Sequence, residues 1–307
     1  MMIFKNTKLC RLNEPVFLTE TKLENSSFKP CQPHETLGLV FVPPCPNSEL
    51  LIHSLGDFDM VCLKLESRKL SNKAVNEQLE KKIAEFANAN RGANKADRTP
   101  SRAEKAQMKD DLIFEMLPKI FTTSDLLYAY FDHKAGLIVV DTNNANKAEL
   151  LLSELRKCLG SLPCVPVAVN NDVSEAMTSY LKNRQAIVSK KESEVVFSLG
   201  YDVEMKSSKG DVKEVAKLKN QILINSDVTE HLINGKVAVK LALDWKDKVS
   251  FILSDNLTIS RIKFLNIEST GETPAERFDS DFALMTGEFR EFFNDLFGLF
   301  GSLNETP

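Results

Sequence analysis

The chain has 307 residues, a formal net charge of −4, and 43% hydrophobic and 27% charged residues. That composition is ordinary for a soluble globular protein with one sizeable body and an appendage, or two domains. No apolar run reaches the ~20 residues a membrane span needs, and the opening MMIFKNTKLCRLNE lacks the apolar core of a signal peptide, so a cytosolic protein without a membrane partner is expected.

Early in the chain, LGLVFVPP is a short apolar run and FDMVCLKLES alternates as a half-buried strand does. From Ser71, an N-cap candidate, Val75, Leu79, Ile83 and Phe86 recur on one helical stripe that Gly92 ends. Thr99-Pro100 predicts a second helix, with Thr99 as N-cap, running to about Leu117 before Pro118. The two helices make an antiparallel hairpin whose far end carries mainly alanines, and it is expected to project from the body. LLYAYFDHKAGLIVVDT predicts a β-hairpin turning at 133–136, followed by the helix KAELLLSELRKCLG with Gly160 as C-cap. SLPCVPVAV predicts a strand, 173–182 a short helix, EVVFSLGYDVEMKSS a strand and VTEHLING a helical turn or two. GKVAVKLALDW, DKVSFILSD and LTISRIKFL predict a three-stranded meander with turns at Lys246-Asp247 and Asp255-Asn256. Thr273-x-x-Glu276, with Pro274 between, has capping-box spacing and opens a Phe-rich final helix. Core packing is the preferred explanation of its phenylalanines over a subunit interface.

The fold class is therefore α+β, with mixed antiparallel sheets and a helical hairpin. Residues 1–70 and 118–182 are expected as the central body, 71–117 as the basic hairpin, and 183–307 as a second α+β region.

Cys10, Cys31, Cys45, Cys62, Cys158 and Cys164 lie in apolar segments without a CxxC pair, which favours buried reduced thiols. Because His34, His53, His133 and His231 also lack ligand spacing, no metal or other cofactor is expected.

Charge is unevenly placed. Between residues 81 and 110, Lys81, Lys82, Arg91, Lys95, Arg98, Arg102, Lys105 and Lys109 face only four carboxylates. Arg98, Arg102, Lys105 and Lys109 are spaced four, three and four, so the last three fall within about 60° of one another on a helix. Solubility alone is served by mixed charges, whereas a single-sign rail suits phosphates and needs no particular base. A second basic region holds Lys182, Arg184, Lys190, Lys191, Lys206, Lys209, Lys213, Lys217 and Lys219, while the chain from residue 266 onward is strongly acidic.

Over nearly its whole length the sequence resembles the RdgC family of bacterial recombination-associated proteins. The resemblance rests on FKNTKLCRL, FKPC, GLVFVPP, LPKIF, GLIVVDTNNANKAELLLSELRKCLGSLPCVP, NGKVAVKLALDW and RFDSDFALMTGE, in the family's order; it is weaker over 86–108 and 182–220. It implies a homodimer that closes into a ring around double-stranded DNA, binds without sequence specificity and restrains RecA-dependent strand exchange. It further implies that Phe121, and Asn220 with Gln221, contribute to closing the ring.

An enzyme is not expected. Asp279, Asp281 and Glu288 are the best candidates for a magnesium-dependent nuclease, but on a helix Asp279 and Asp281 diverge by 200°. Gly235-Lys236 continues into VAVK rather than into a phosphate-binding loop, and no GxSxG or GxGxxG occurs. The reading is thus a cytosolic, nucleoid-associated DNA-binding homodimer. Its alternatives are that nuclease and an interaction protein using the Phe-rich helix.

Overall fold

The computed structural model describes residues 3–24, 31–92, 99–183, 187–188, 195–207, 214–265, 268, 270–301 and 303. Two compact units form, the first from residues 1–25, 43–62 and 127–307, the second from 26–42 and 63–126. In chain order come strand β1 (Asn6–Leu12), helix α1 (Glu20–Glu24) and strands β2 (Leu37–Val42), β3 (Ile52–Leu55) and β4 (Phe58–Ser67). Helices α2 (Asn72–Gly92) and α3 (Arg102–Met116) follow, then a 3-10 turn at Leu117–Lys119, strands β5 (Thr123–Asp132) and β6 (Leu137–Val140), and helix α4 (Ala145–Leu159). Next are strand β7 (Cys164–Pro166), helix α5 (Val173–Asn183) and strands β8 (Ile187–Val188), β9 (Val195–Ser207) and β10 (Val215–Leu218). Helix α6 (Ser226–Ile233), strands β11 (Lys236–Trp245), β12 (Val249–Ser254) and β13 (Ile259–Phe264), and helix α7 (Pro274–Leu299) complete the fold. It is α+β, as expected. The chain passes between the units inside β4 and β5.

In the first unit the strands run β10-β9-β11-β12-β13-β1-β6-β5-β4, with β3 on β4, β7 on β1 and β8 on β9. The predicted meander is present, and its first turn is the tight left-handed kind, with φ of 46° at Lys246 and 51° at Asp247. The β5–β6 hairpin turns through Gly136 at φ 65°. SLPCVPVAV supplies only the three-residue β7, because its two prolines withhold ladder donors.

One face of this sheet is covered by α7. Thr273 and Glu276 make the predicted reciprocal cap, and the helix buries Phe278, Phe282, Phe289, Phe292, Phe293 and Phe297. The Phe292 ring meets Phe251 at 4.8 Å and Trp245 at 5.6 Å, both edge-on. The Phe-rich helix is therefore core, and burial leaves none of these six rings for a subunit contact. Arg290 locks the helix sideways: its Nε and Nη2 donate to the two oxygens of buried Asp132 at 2.8 and 2.6 Å, and the guanidinium lies 4.2 Å over Phe58.

In the second unit, β2 and the later half of β4 accompany the α2–α3 pair. The predicted stripe is real but graded: Val75 is buried, whereas Leu79, Ile83 and Phe86 are half-buried. The start of α3 corrects the sequence reading. Ser101, not Thr99, is the N-cap, because Ser101 Oγ accepts from Glu104 N–H and Glu104 Oε2 accepts from Ser101 N–H at 2.8 Å. Reciprocal satisfaction of two orphan donors outweighs the Thr-Pro signal.

Replacing Phe292 by Ala should lower unfolding free energy by about 3–5 kcal/mol, read as a shifted urea midpoint at unchanged slope.

Candidate nucleic-acid interface

The second unit presents the rail. Arg102, Lys105 and Lys109 are exposed on α3, and none pairs with a carboxylate among the described residues. Their placement opposes the helix's own needs. Arg102 opens the first turn and Lys105 follows it, while the last turn has no basic residue, so these cations sit at the positive end of the macrodipole. Helix stability does not account for them. Lys81 and Lys82 differ, since Lys81 pairs with Glu77 at 3.2 Å and Lys82 with Glu115 at 3.2 Å; both are partly neutralised. Arg98 lies outside the described residues.

Phe121 follows the 3-10 turn and is 93% exposed, which removes the core reading of that ring. Its backbone is held from the neighbouring residue: Arg68 Nε donates to Ile120 O at 3.3 Å, and Arg68 Nη1 donates to Cys31 O at 3.0 Å. Sequence reasoning missed Phe114, which is 60% exposed and stacks on His34 at 3.8 Å.

The first unit presents a separate basic surface on the sheet face that α7 leaves uncovered. Lys206, Lys217 and Lys219 are exposed there, while Lys190, Lys191, Lys209 and Lys213 lie outside the described residues. Strand alternation adds Lys240, directly opposite Glu204 in the β11–β9 register, and Arg261, which pairs with Asp202 at 3.3 Å. Lys217, Lys219, Lys240 and Arg261 line a groove of about 310 Å³. Glu204 is its hub, with Lys217 at 3.3 Å, Lys240 at 3.5 Å and Lys206 at 4.0 Å. Burial pushes the Glu204 carboxyl up, but Lys240 and Lys217 more than offset this and hold it below its usual value.

Asn220 and Gln221 begin the loop after β10. Asn220 has φ 53°, a conformation its short polar side chain tolerates, and its N–H donates to Asp202 at 2.9 Å; Gln221 N–H donates to Tyr201 O at 3.1 Å. Beside them Tyr201, Ile222 and Ile224 are exposed, an apolar group that sequence reasoning did not single out because residue spacing alone does not show which loop residues are covered.

The acidic candidates are dispersed. Asp279 is half-exposed and 3.1 Å from His53, Asp281 is buried, and Glu288 binds Lys248 at 3.0 Å. Among the described residues no helix is long and apolar enough to cross a membrane.

Glu204→Gln should be less stable than the unmutated protein near neutral pH. A carboxyl whose folded pKa is depressed contributes above its unfolded pKa and loses that contribution as pH falls through the folded value, so thermal unfolding across a pH series should show the deficit closing below the usual glutamate range.

Comparison with known proteins agrees over the whole chain. A family model described as "Putative exonuclease, RdgC" matches residues 2–303. The chain is 33% identical to the recombination-associated protein RdgC of Aeromonas hydrophila, covering 98% of each. It is 31% identical to that of Psychromonas ingrahamii, again over 98% of each, and 31% identical to that of Sodalis glossinidius over 94% of this chain and 93% of the relative. On this full-length correspondence, the chain belongs to the RdgC family of recombination-associated proteins.

Proposed function

We propose that this protein binds double-stranded DNA without sequence preference, as a homodimer that closes around the duplex, and that it restrains RecA-dependent recombination by occupying the DNA. The observation that carries the reading is the α3 rail: three exposed cations that pair with no carboxylate among the described residues, with Arg102 and Lys105 set against their own helix dipole. Phosphates reward that arrangement by releasing counterions, whereas base edges play no part in it. The Lys206, Lys217, Lys219 and Lys240 surface gives the first unit a cationic face of its own. Family membership supports the link to recombination, and a cytoplasmic, nucleoid-associated location follows from the same reading.

Ring closure is assigned to Phe121 and to the loop beginning at Asn220 and Gln221. An almost fully exposed phenylalanine on an anchored backbone suits burial by a second copy. Covering it contributes roughly 1.5–3 kcal/mol, and 1.4 kcal/mol is a factor of ten in affinity.

The protein is read as non-catalytic. The family description names an exonuclease, which favours magnesium-dependent cleavage as the second reading, but Asp279, Asp281 and Glu288 have separate environments. Cleavage of linear DNA with magnesium, abolished by Asp281→Asn, would establish that second reading.

Replacing Arg102, Lys105 and Lys109 together by Gln should flatten the slope of log affinity against log salt by about 2 to 3 units, at about 0.9 per phosphate contact. An unchanged slope would reduce the rail to a solvated surface. For the ring, salt-induced release from covalently closed circles should be slower than from linear DNA of equal length, and Phe121→Ser should erase that difference while leaving the melting temperature of the monomer unchanged. Equal release of the unmutated protein from both DNA forms would eliminate encirclement.

A further inference from the structure

Within the first unit, three side chains far apart in sequence bring metal-ligating atoms together. Cys45 lies in the loop after Pro43-Pro44, His53 on β3 and Asp279 in the second turn of α7, and their Sγ, imidazole nitrogen and carboxylate oxygen all fall within 4.8 Å of one another. Cys45 is buried and Asp279 is half-exposed. The imidazole is held in place by rings, with Phe278 edge-on at 5.0 Å and Phe282 at 5.6 Å.

The position of His53 Nε2 singles out this cluster. The atom is buried and makes no hydrogen bond among the described groups, although Asp279 Oδ1 is 3.1 Å away; the carboxylate lies out of line with the ring nitrogen. A buried polar atom without a hydrogen bond costs free energy, and a cation shared with Asp279 and Cys45 would satisfy it. From this geometry we infer that Cys45, His53 and Asp279 form a binding site for a divalent cation of the zinc class. Thiolate and imidazole ligands suit zinc or cobalt and disfavour magnesium and calcium, which take oxygen shells.

The fit requires modest movement. Ligand bonds of about 2.0–2.3 Å place tetrahedral ligand atoms roughly 3.5 Å apart, so the cluster must contract by about 1 Å. The ring-clamped His53 stays, while the exposed Asp279 carboxylate and the Cys45 loop move in. Three protein ligands leave a fourth position to water on the solvent side of Asp279, the open kind of zinc site. Binding expels the Cys45 thiol proton to solvent and changes no oxidation state. None of the three ligands belongs to the rail or to the Glu204 surface.

The test is titration of the reduced, metal-free full-length protein with cobalt(II). One equivalent per chain should develop thiolate-to-cobalt charge-transfer absorption and tetrahedral d–d bands, both displaced by zinc. Cys45→Ser should abolish the charge-transfer band, whereas Cys158→Ser and Cys164→Ser should retain it. Asp279→Asn, at an exposed position that keeps the fold, should weaken affinity tenfold or more. Zinc at a hundredfold excess over its Kd should raise the melting temperature by about 4 °C. Absence of the charge-transfer band, or its persistence unchanged in both Cys45→Ser and Asp279→Asn, would overturn the site.

Discussion

The architecture depends on the burial of one helix face. α7 is rich in aromatic residues that water would penalise, and the antiparallel sheet supplies apolar area that takes six phenylalanines at once. Trp245 and Phe251 rise from β11 and β12 to meet Phe292 edge-on, a geometry that aromatic quadrupoles favour, and Phe197 on β9 meets it at a tilt. Because one face of the sheet is consumed in this way, the strands must alternate, and their polar positions collect on the other face. The lysine surface around Glu204 is thus a by-product of where the phenylalanines went.

Hydrophobic burial leaves a helix free to slide along its axis, and Arg290 removes that freedom. Its forked pairing with Asp132 fixes α7 against the β5–β6 turn, where Asp132 also accepts from Ala135 N–H at 2.9 Å. A buried ion pair of this kind is a weak source of net stability and a strong source of register. Register is what brings Asp279 beside His53 at the start of the same helix.

Local signals were legible in the sequence wherever the controlling interactions were local. The Thr273 box, the Gly160 cap, the meander turns and the Val75 stripe all depend on residues within one or two turns of one another, and each stands where spacing puts it. At α3 two local signals competed, and the reciprocal Ser101–Glu104 bonds won over Thr99-Pro100. The sites were less legible. Lys81 and Lys82 read as part of the basic cluster until partners at Glu77 and Glu115 are seen. Lys240 and Arg261 gain meaning only through cross-strand neighbours, as does Glu204. His53 lacks ligand spacing along the chain, yet β3 and α7 bring it to Asp279. The exposure of Phe121 is also a tertiary property, because an apolar residue after LPKI begins a core strand as readily as a contact surface.

The graded burial along α2 has a consequence for its energetics. Val75 anchors the base, but each later member of the stripe is only partly covered, and Ala84 and Ala89 are exposed. The outer turns therefore depend more on their own backbone ladder than the base does, and such a ladder contributes little stability in water without packing. Opening those turns forfeits little buried area, so amide hydrogen exchange should be slow beside Val75 and quicken stepwise toward Ala89. This part of the hairpin would exchange by local fraying while the sheet beneath α7 requires near-global unfolding.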